Sequence, residues 1–199
     1  MTEQQTAPLS RRERKKRETW NRILTAALKL FVERGYDQVR IEEICNDADI
    51  SNATFFAYFP TKASLITGFG SALLHQVRNR LNEFDGASPD ESLELLRVIY
   101  FDEWAGHRNW LQKVFVNTDS AEAAAIAAAD SDLVDLVVEI IESGQKTKHF
   151  KTEFKPQLVA QCLVAGWRSV MVRFVEDGNA DLMTENNREV LDIVLEGAQ

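Results

Sequence analysis

Apolar residues return along most of this chain at intervals of three and four, the spacing that puts them on one face of a helix, and no stretch shows the two-residue alternation of a half-buried strand. The pattern predicts an all-α protein of about nine helices. The first clear stripe, over 18–34, places Trp20, Ile23, Leu24, Ala27, Leu30 and Phe31 together and stops at Gly35. A short helix at 41–48 follows, then a tight joint at Asp49 and Ile50, then a second short helix that Ser51 can cap and Pro60 closes. Thr61 can cap a long helix over 62–84. Its interior glycines, Gly68 and Gly70, cost helix stability and either permit close packing or mark a flexible point between two domains. Beyond a joint at Gly86, Ser88 and Pro89, helices are predicted at 90–105, 109–116, 121–129 and 132–146. Pro156 then opens the most apolar helix of the chain, and a last helix is predicted at 184–195. That final pair is either buried whole within one protomer or packs one face inward and the other on a second copy.

Charge sharpens the division. The net charge is −8, but residues 11–40 hold ten Lys or Arg against four Asp or Glu, whereas residues 63–199 hold 12 against 22. A basic start on an acidic protein suits phosphate binding, with the acidic remainder kept off the duplex; a solvated charged tail gives the same count. Residues 1–17 read as a flexible basic arm. The polar first ten residues lack the apolar stretch of a signal peptide and no run reads as long enough to span a bilayer, so a cytoplasmic protein with no membrane partner is expected. Cys45 and Cys162 sit in apolar patterns and are expected as buried free thiols. No Gly-rich phosphate loop, nucleophile elbow or metalloprotease helix is present, which argues against an enzyme, and no metal or cofactor is expected.

The two short helices, the turn between them and the capped long helix behind have the spacing of a helix-turn-helix, whose second helix enters the major groove by its N-terminal residues. Phe55 and Phe59, four apart, would anchor that helix with Ile50. Asn52, Ala53, Thr54, Phe56 and Ala57 then lie on other faces as base-reading candidates, next to the capping Ser51.

Phe31-Val-Glu-Arg-Gly-Tyr36, Ile41-Glu-Glu-Ile44, Ala48-Asp-Ile-Ser51, Thr54 and Tyr58-Phe-Pro-Thr-Lys62 closely resemble the DNA-binding domain of the TetR family in order and spacing. The resemblance covers about 19–65; beyond Leu65 only the helical pattern agrees. It implies a homodimeric transcriptional regulator, most often a repressor. Residues 18–65 would form a three-helix DNA-binding domain, and residues 66–199 a ligand-binding and dimerisation domain. It further implies that Asn52, Ala53 and Thr54 face the bases, that Phe56, Ala57 and Tyr58 lie along the groove wall, and that Lys62 meets a phosphate. Asp49 stands where the family usually has Gly, and Asp tolerates left-handed backbone better than most residues. Phe56 replaces a common tyrosine, Ala57 a larger residue, and Arg40 a capping threonine, offering a cation to a phosphate instead. Few hydrogen-bonding groups remain on the reading helix. Arg11, Arg12, Arg14, Lys15, Lys16 and Arg17 are therefore expected to supply a large part of the affinity for DNA.

The same resemblance implies that the last two helices pair with their copies as a four-helix bundle, with Leu158, Cys162, Val170, Phe174, Val190, Leu191 and Val194 as interface candidates. A dimer would read a palindromic operator in double-stranded DNA. It also implies a cavity for a small-molecule effector among the middle helices. Phe101, Trp104, His107, Trp110, Phe115, Trp167 and Met171 are candidates to line it, each also explained by core packing; His107, near Asp102 and Glu103, could orient a ligand. The acidic excess fits a cationic ligand or plain solubility. The alternative function is a helical small-molecule-binding or protein-interaction module without sequence-specific DNA binding, which would survive changes at Asn52 and Thr54.

Overall fold

The computed structural model describes residues 10–84, 86–108, 111 and 121–198, the side chain of residue 198 excepted. Among these, eight α-helices and one 3-10 turn occur and no strand. They fall into two compact units, Met1–Leu65 and Ile66–Gln199.

In the first unit, α1 spans Arg11–Arg34. Ser10 starts it: its hydroxyl accepts from the Glu13 amide at 3.2 Å, while the Glu13 carboxylate accepts from the Ser10 amide at 2.8 Å. That reciprocal cap satisfies two amides the helix itself leaves open. The basic segment is therefore no flexible arm over residues 11–17, which are the first two turns of a helix. Further along, α1 buries Ile23, Leu24, Ala26, Ala27, Leu30 and Phe31 and ends at Gly35, whose φ of 84° suits a residue without Cβ.

The 3-10 turn Tyr36–Gln38 lays Tyr36 against Phe31, with ring centroids 4.9 Å apart. Helix α2 follows at Ile41–Asp47. Arg40, at its N-cap, has no side-chain acceptor, and the Glu43 carboxylate takes the Arg40 amide at 2.8 Å. Asp49 carries the turn at φ 51°, the left-handed conformation its short polar side chain tolerates. Helix α3 spans Asn52–Tyr58, capped by Ser51, whose hydroxyl accepts from the Thr54 amide at 3.1 Å.

Helix α4, Ser64–Glu83, has its first two residues in the first unit and the rest in the second. The second unit continues with α5 (Pro89–Ala105), α6 (Ala121–Lys146), α7 (Pro156–Asp177) and α8 (Ala180–Ala198). α7 packs on both α6 and α8, and α5 packs on the same two neighbours. The break expected between 129 and 132 is absent. Asp130, Ser131 and Asp132 are weak helix formers, but none is Gly or Pro. Asp130 is also held by Arg168 at 2.6 Å, and Asp132 by the Ser71 hydroxyl at 3.2 Å. α8 begins earlier than expected because Asn179 accepts from the Leu182 amide at 3.0 Å. The helix expected at 109–116 lies largely outside the described residues.

Gly70 answers the question its helix raised. A Cβ there would sit 2.9 Å from that of Ala129, so the glycine lets α4 and α6 approach closely. By length and composition α7 could cross a membrane, with mean hydropathy 1.4, which the sequence reading did not allow for. Leu163, Val164, Trp167, Met171 and Val175 are buried against neighbouring helices, so one face of α7 belongs to the core of its unit. Cys45 is a buried free thiol as expected, whereas Cys162 is exposed, because it lies on the same outward face of α7 as Leu158.

Candidate functional site

Two places stand apart from ordinary packing. The first is α3. Phe55 and Phe59 are buried at 0% and 2% exposure, with Phe59 stacked on Trp20 at 5.6 Å, so the helix is clamped along its back. Asn52, Ala53, Phe56 and Ala57 are exposed on the other side, while Thr54 and Tyr58 are half-buried. Phe56, 49% exposed, stands edge-on to Phe55 at 5.4 Å. Thr54 turns its hydroxyl to Ser51 at 2.9 Å, which leaves its methyl as the group for a base. Asn52 is then the exposed residue of this face able to make a two-point hydrogen bond to a base edge.

Lys62, expected at a phosphate, has a partner within its own unit. Its ammonium donates to the Tyr36 carbonyl and lies 4.2 Å from the Tyr36 ring centroid, so it ties the α3–α4 joint back to the 3-10 turn. Arg40 is exposed, and so are Arg11, Arg12, Arg14, Lys15, Lys16 and Arg17. Those six cations occupy the positive end of the α1 dipole, where carboxylates would stabilise the helix and cations oppose it. Behind α2, Arg34 holds Glu43 at 2.7 Å, and that bond together with the Arg40 amide keeps the Glu43 carboxyl below its ordinary range.

The second place is a narrow, partly open cavity inside the second unit, with about 20 Å³ of free interior volume, so that anything larger than a water molecule enters it by moving its walls. Tyr100, Phe101 and Trp104 line it from α5, Ile126, Ala129, Asp130 and Leu133 from α6, and Val164, Trp167, Arg168 and Met171 from α7. Phe101 meets Trp167 edge-on at 5.6 Å, and the Trp167 indole donates to the Asn187 carbonyl of α8 at 2.9 Å. Trp104 packs edge-on against Phe69 of α4 at 4.8 Å. Four residues expected from sequence therefore line the cavity: Phe101, Trp104, Trp167 and Met171. His107 does not; its ring sits against Phe69 at 4.8 Å, and burial holds its pKa below the ordinary 6.5 against the pull of Glu103. Trp110 and Phe115 lie outside the described residues. Tyr100, Asp130 and Arg168 were missed, because their company depends on which helices meet.

Residues 23–67 match the family described as bacterial regulatory proteins, tetR family. The chain is 28% identical over 171 residues to the HTH-type transcriptional regulator YdgC of Bacillus subtilis, covering 82% of this chain and 85% of that one. Its fold is similar to that of FadR from Thermus thermophilus, a TetR-family repressor solved in complex with lauroyl-CoA, with a TM-score of 0.72 and 28% identity over 89% of this chain and 94% of that one. The chain carries the DNA-binding domain of the TetR family of transcriptional regulators. The fold is shared more widely, as with FadR from Bacillus subtilis solved with stearoyl-CoA, at a TM-score of 0.64 and 21% identity over 90% of this chain and all of that one. A member of the TetR family is a DNA-binding regulator rather than an enzyme.

Within this chain the residues expected at a dimer interface divide. Val170, Phe174 and Leu191 are buried at 7%, 4% and 3% exposure in their own protomer and belong to its core, a correction to the sequence expectation. They sit on the inner faces of α7 and α8, where Val170 and Phe174 continue the line of Trp167 and Met171. Leu158 and Cys162 are exposed, and Val190 and Val194 are half-buried, Val190 crossing Gly166 of α7. Exposed Ile193, which the sequence reading passed over, stands outermost on α8 at 64%.

Proposed function

We propose that this regulator is a repressor that occupies a near-palindromic operator as a homodimer, with α3 in the major groove, and leaves it when a small apolar molecule enters the cavity between α5, α6 and α7. It would act in the cytoplasm, where its operator is. The observation that carries the reading is the two-sidedness of α3, clamped by Phe55 and Phe59 while its front stays open. Asn52 would pair with an adenine edge, Ala53, Phe56 and the Thr54 methyl would touch thymine methyls, and Ala57 and Tyr58 would follow the groove wall. Arg40 and the α1 cations would meet phosphates, which offsets their unfavourable place on the helix dipole. On α7, Leu158, Cys162 and Ala165 are spaced four and three apart and exposed, a stripe suited to a second copy, and Ile193 of α8 is exposed as well. Phe69 and Gly70 of α4 touch the cavity-wall residues Trp104 and Ala129, so a ligand that displaces either acts on α4. Acyl-CoA, bound by the Thermus relative, is the first ligand to try.

Selection on random duplex DNA at near-physiological salt tests this. Enrichment of an inverted repeat is expected; absence of any enriched sequence overturns sequence-specific readout and favours a helical binding module. On the selected operator, changing the six α1 cations to Ala should weaken binding to all sequences and flatten its salt dependence, since each lost phosphate contact removes about 0.9 from the logarithmic salt slope. An unchanged slope would leave the segment a solubilising one.

A further inference from the structure

The cavity wall has one charged spot. Asp130 of α6 and Arg168 of α7 meet at its edge, Arg168 Nη1 donating to Asp130 Oδ2 at 2.6 Å, with side chains 21% and 42% exposed. Tyr100 is in the same wall, and the remaining lining side chains are aliphatic or aromatic. The pair sums to zero charge, yet it offers hydrogen bonds of both kinds, since a guanidinium has five N–H groups and a carboxylate two oxygens.

We infer that the cavity selects apolar ligands whose head group is uncharged but hydrogen-bonding, such as an ester, thioester, ketone or alcohol, and discriminates against the free carboxylate or amine of the same chain. This rests on the cavity being the effector site. A carboxylate accepting from the remaining N–H groups of Arg168 sets a second negative charge beside Asp130, with one cation for the two. Burial already holds the Asp130 pKa above its ordinary range, with Arg168 working against that rise, so a second carboxylate drawing on the same cation must be bound at the cost of taking up a proton at one of the two. An ammonium reaching Asp130 sets a second cation beside Arg168 in the same way. A carbonyl can accept from Arg168, or a hydroxyl donate to Asp130, with the pair intact. The acidic excess of the surrounding chain, which by itself suggests a cationic ligand, is not repeated at this edge.

The test is calorimetric titration of the full-length protein with dodecanol, methyl dodecanoate, dodecanoate and dodecylammonium, each below its micelle concentration. The neutral pair should bind at least about tenfold more tightly than either ion, the cost expected for setting a second like charge beside one partner of a part-buried ion pair. Asp130→Asn should reverse the order toward dodecanoate, and Arg168→Gln toward dodecylammonium. Equal affinity of ions and neutral molecules, or an order that neither variant moves, overturns the inference. Met171→Trp, or Leu133→Phe should the first variant unfold by circular dichroism, fills the cavity and should abolish binding of the whole series. If the filled variant still binds, or no probe binds wild type, the cavity itself is refuted as the effector site and the head-group rule falls with it. If filling abolishes binding while the charge variants leave the order unchanged, only the head-group rule falls.

Discussion

The side-chain ties that hold the first unit are short in sequence and those that hold the second are long. In the first, Ser10 and Glu13, Arg40 and Glu43, and Ser51 and Thr54 close within three residues, Lys29 reaches Asp47 over 18, and even Lys62 reaches Tyr36 over only 26. In the second, Thr67 bonds to the Ala125 carbonyl 58 residues away, His149 to Asp90 over 59, and Arg97 to Asn187 over 90. The first unit is thus a set of locally capped helices gathered on one aromatic cluster. The second is defined only when distant helices meet, and so is its cavity. On the proposed function, a reading head that must present one fixed face would benefit from local caps, and a chamber that responds to a ligand would be made of contacts that a ligand can rearrange.

Phe55→Ala should give the largest effect, because that ring joins α3 to the aromatic cluster, 6.0 Å from Phe59 and wholly buried. Removing it should cost about 3–5 kcal/mol, the usual range for a buried Phe truncated to Ala. A small unit has little stability to spare. Amide exchange across residues 41–58 is the measurement, since it reports local opening, and protection there should collapse while that of α6 and α7 is kept. A loss below about 1 kcal/mol, the scale of a single cap, would mean that the local caps hold α3 without the cluster and would break the comparison.

Asn187→Leu comes next. Asn187 is 0% exposed, and its side-chain oxygen accepts from Arg97 at 2.6 Å; Arg97 is itself buried, with Glu94 as its other partner at 2.6 Å. Losing the acceptor should destabilise the second unit by about 1–3 kcal/mol, the penalty for stranding a buried donor. The double variant Arg97→Leu with Asn187→Leu should be less destabilised than the sum of the singles, since it removes both ends of one tie. Urea unfolding checks this. Additive losses would mean that the two residues act separately and that the long tie does not hold α5 to α8.

This difference in range decides what the sequence could disclose. The helix-turn-helix, its Phe55 and Phe59 anchors, the left-handed turn at Asp49 and the Ser51 cap were all legible, because each is set by residues within a few positions of one another. The start of α1 was legible too, in Ser10 followed three residues later by Glu13, but six cations drew attention away from it. In the second unit the apolar stripes disclosed four wall residues of the cavity, since bulky residues on an inward face end up somewhere in the core. They did not disclose that Asp130 and Arg168 would meet, nor that Val170, Phe174 and Leu191 would face their own core, because both depend on the rotation of one helix against another. At Lys62 the motif disclosed the position but not the Tyr36 carbonyl to which its ammonium donates.

His107 offers the smallest and most selective test. The sequence placed it at a ligand; in the structure it packs on Phe69 of α4 at 4.8 Å, one of the contacts that join α5 to its neighbours. Burial lowers its pKa below 6.5, so the folded protein takes up this proton less readily than the unfolded chain. Well above pH 6.5 the ring is neutral in both states and contributes no slope. As pH falls below that value the unfolded chain binds the proton first and stability declines, until the folded pKa is passed and the loss is complete. Urea midpoints of wild type and His107→Gln measured from about pH 8 to pH 5, the range in which histidine titrates, should differ by a constant at the upper end. The difference should then shrink as wild type loses stability that the variant keeps. The change should be a fraction of the Asn187 effect, because the ring is only half-buried. A difference that stays constant across the range would mean that His107 titrates alike in both states, and that its contact with Phe69 leaves it open to water.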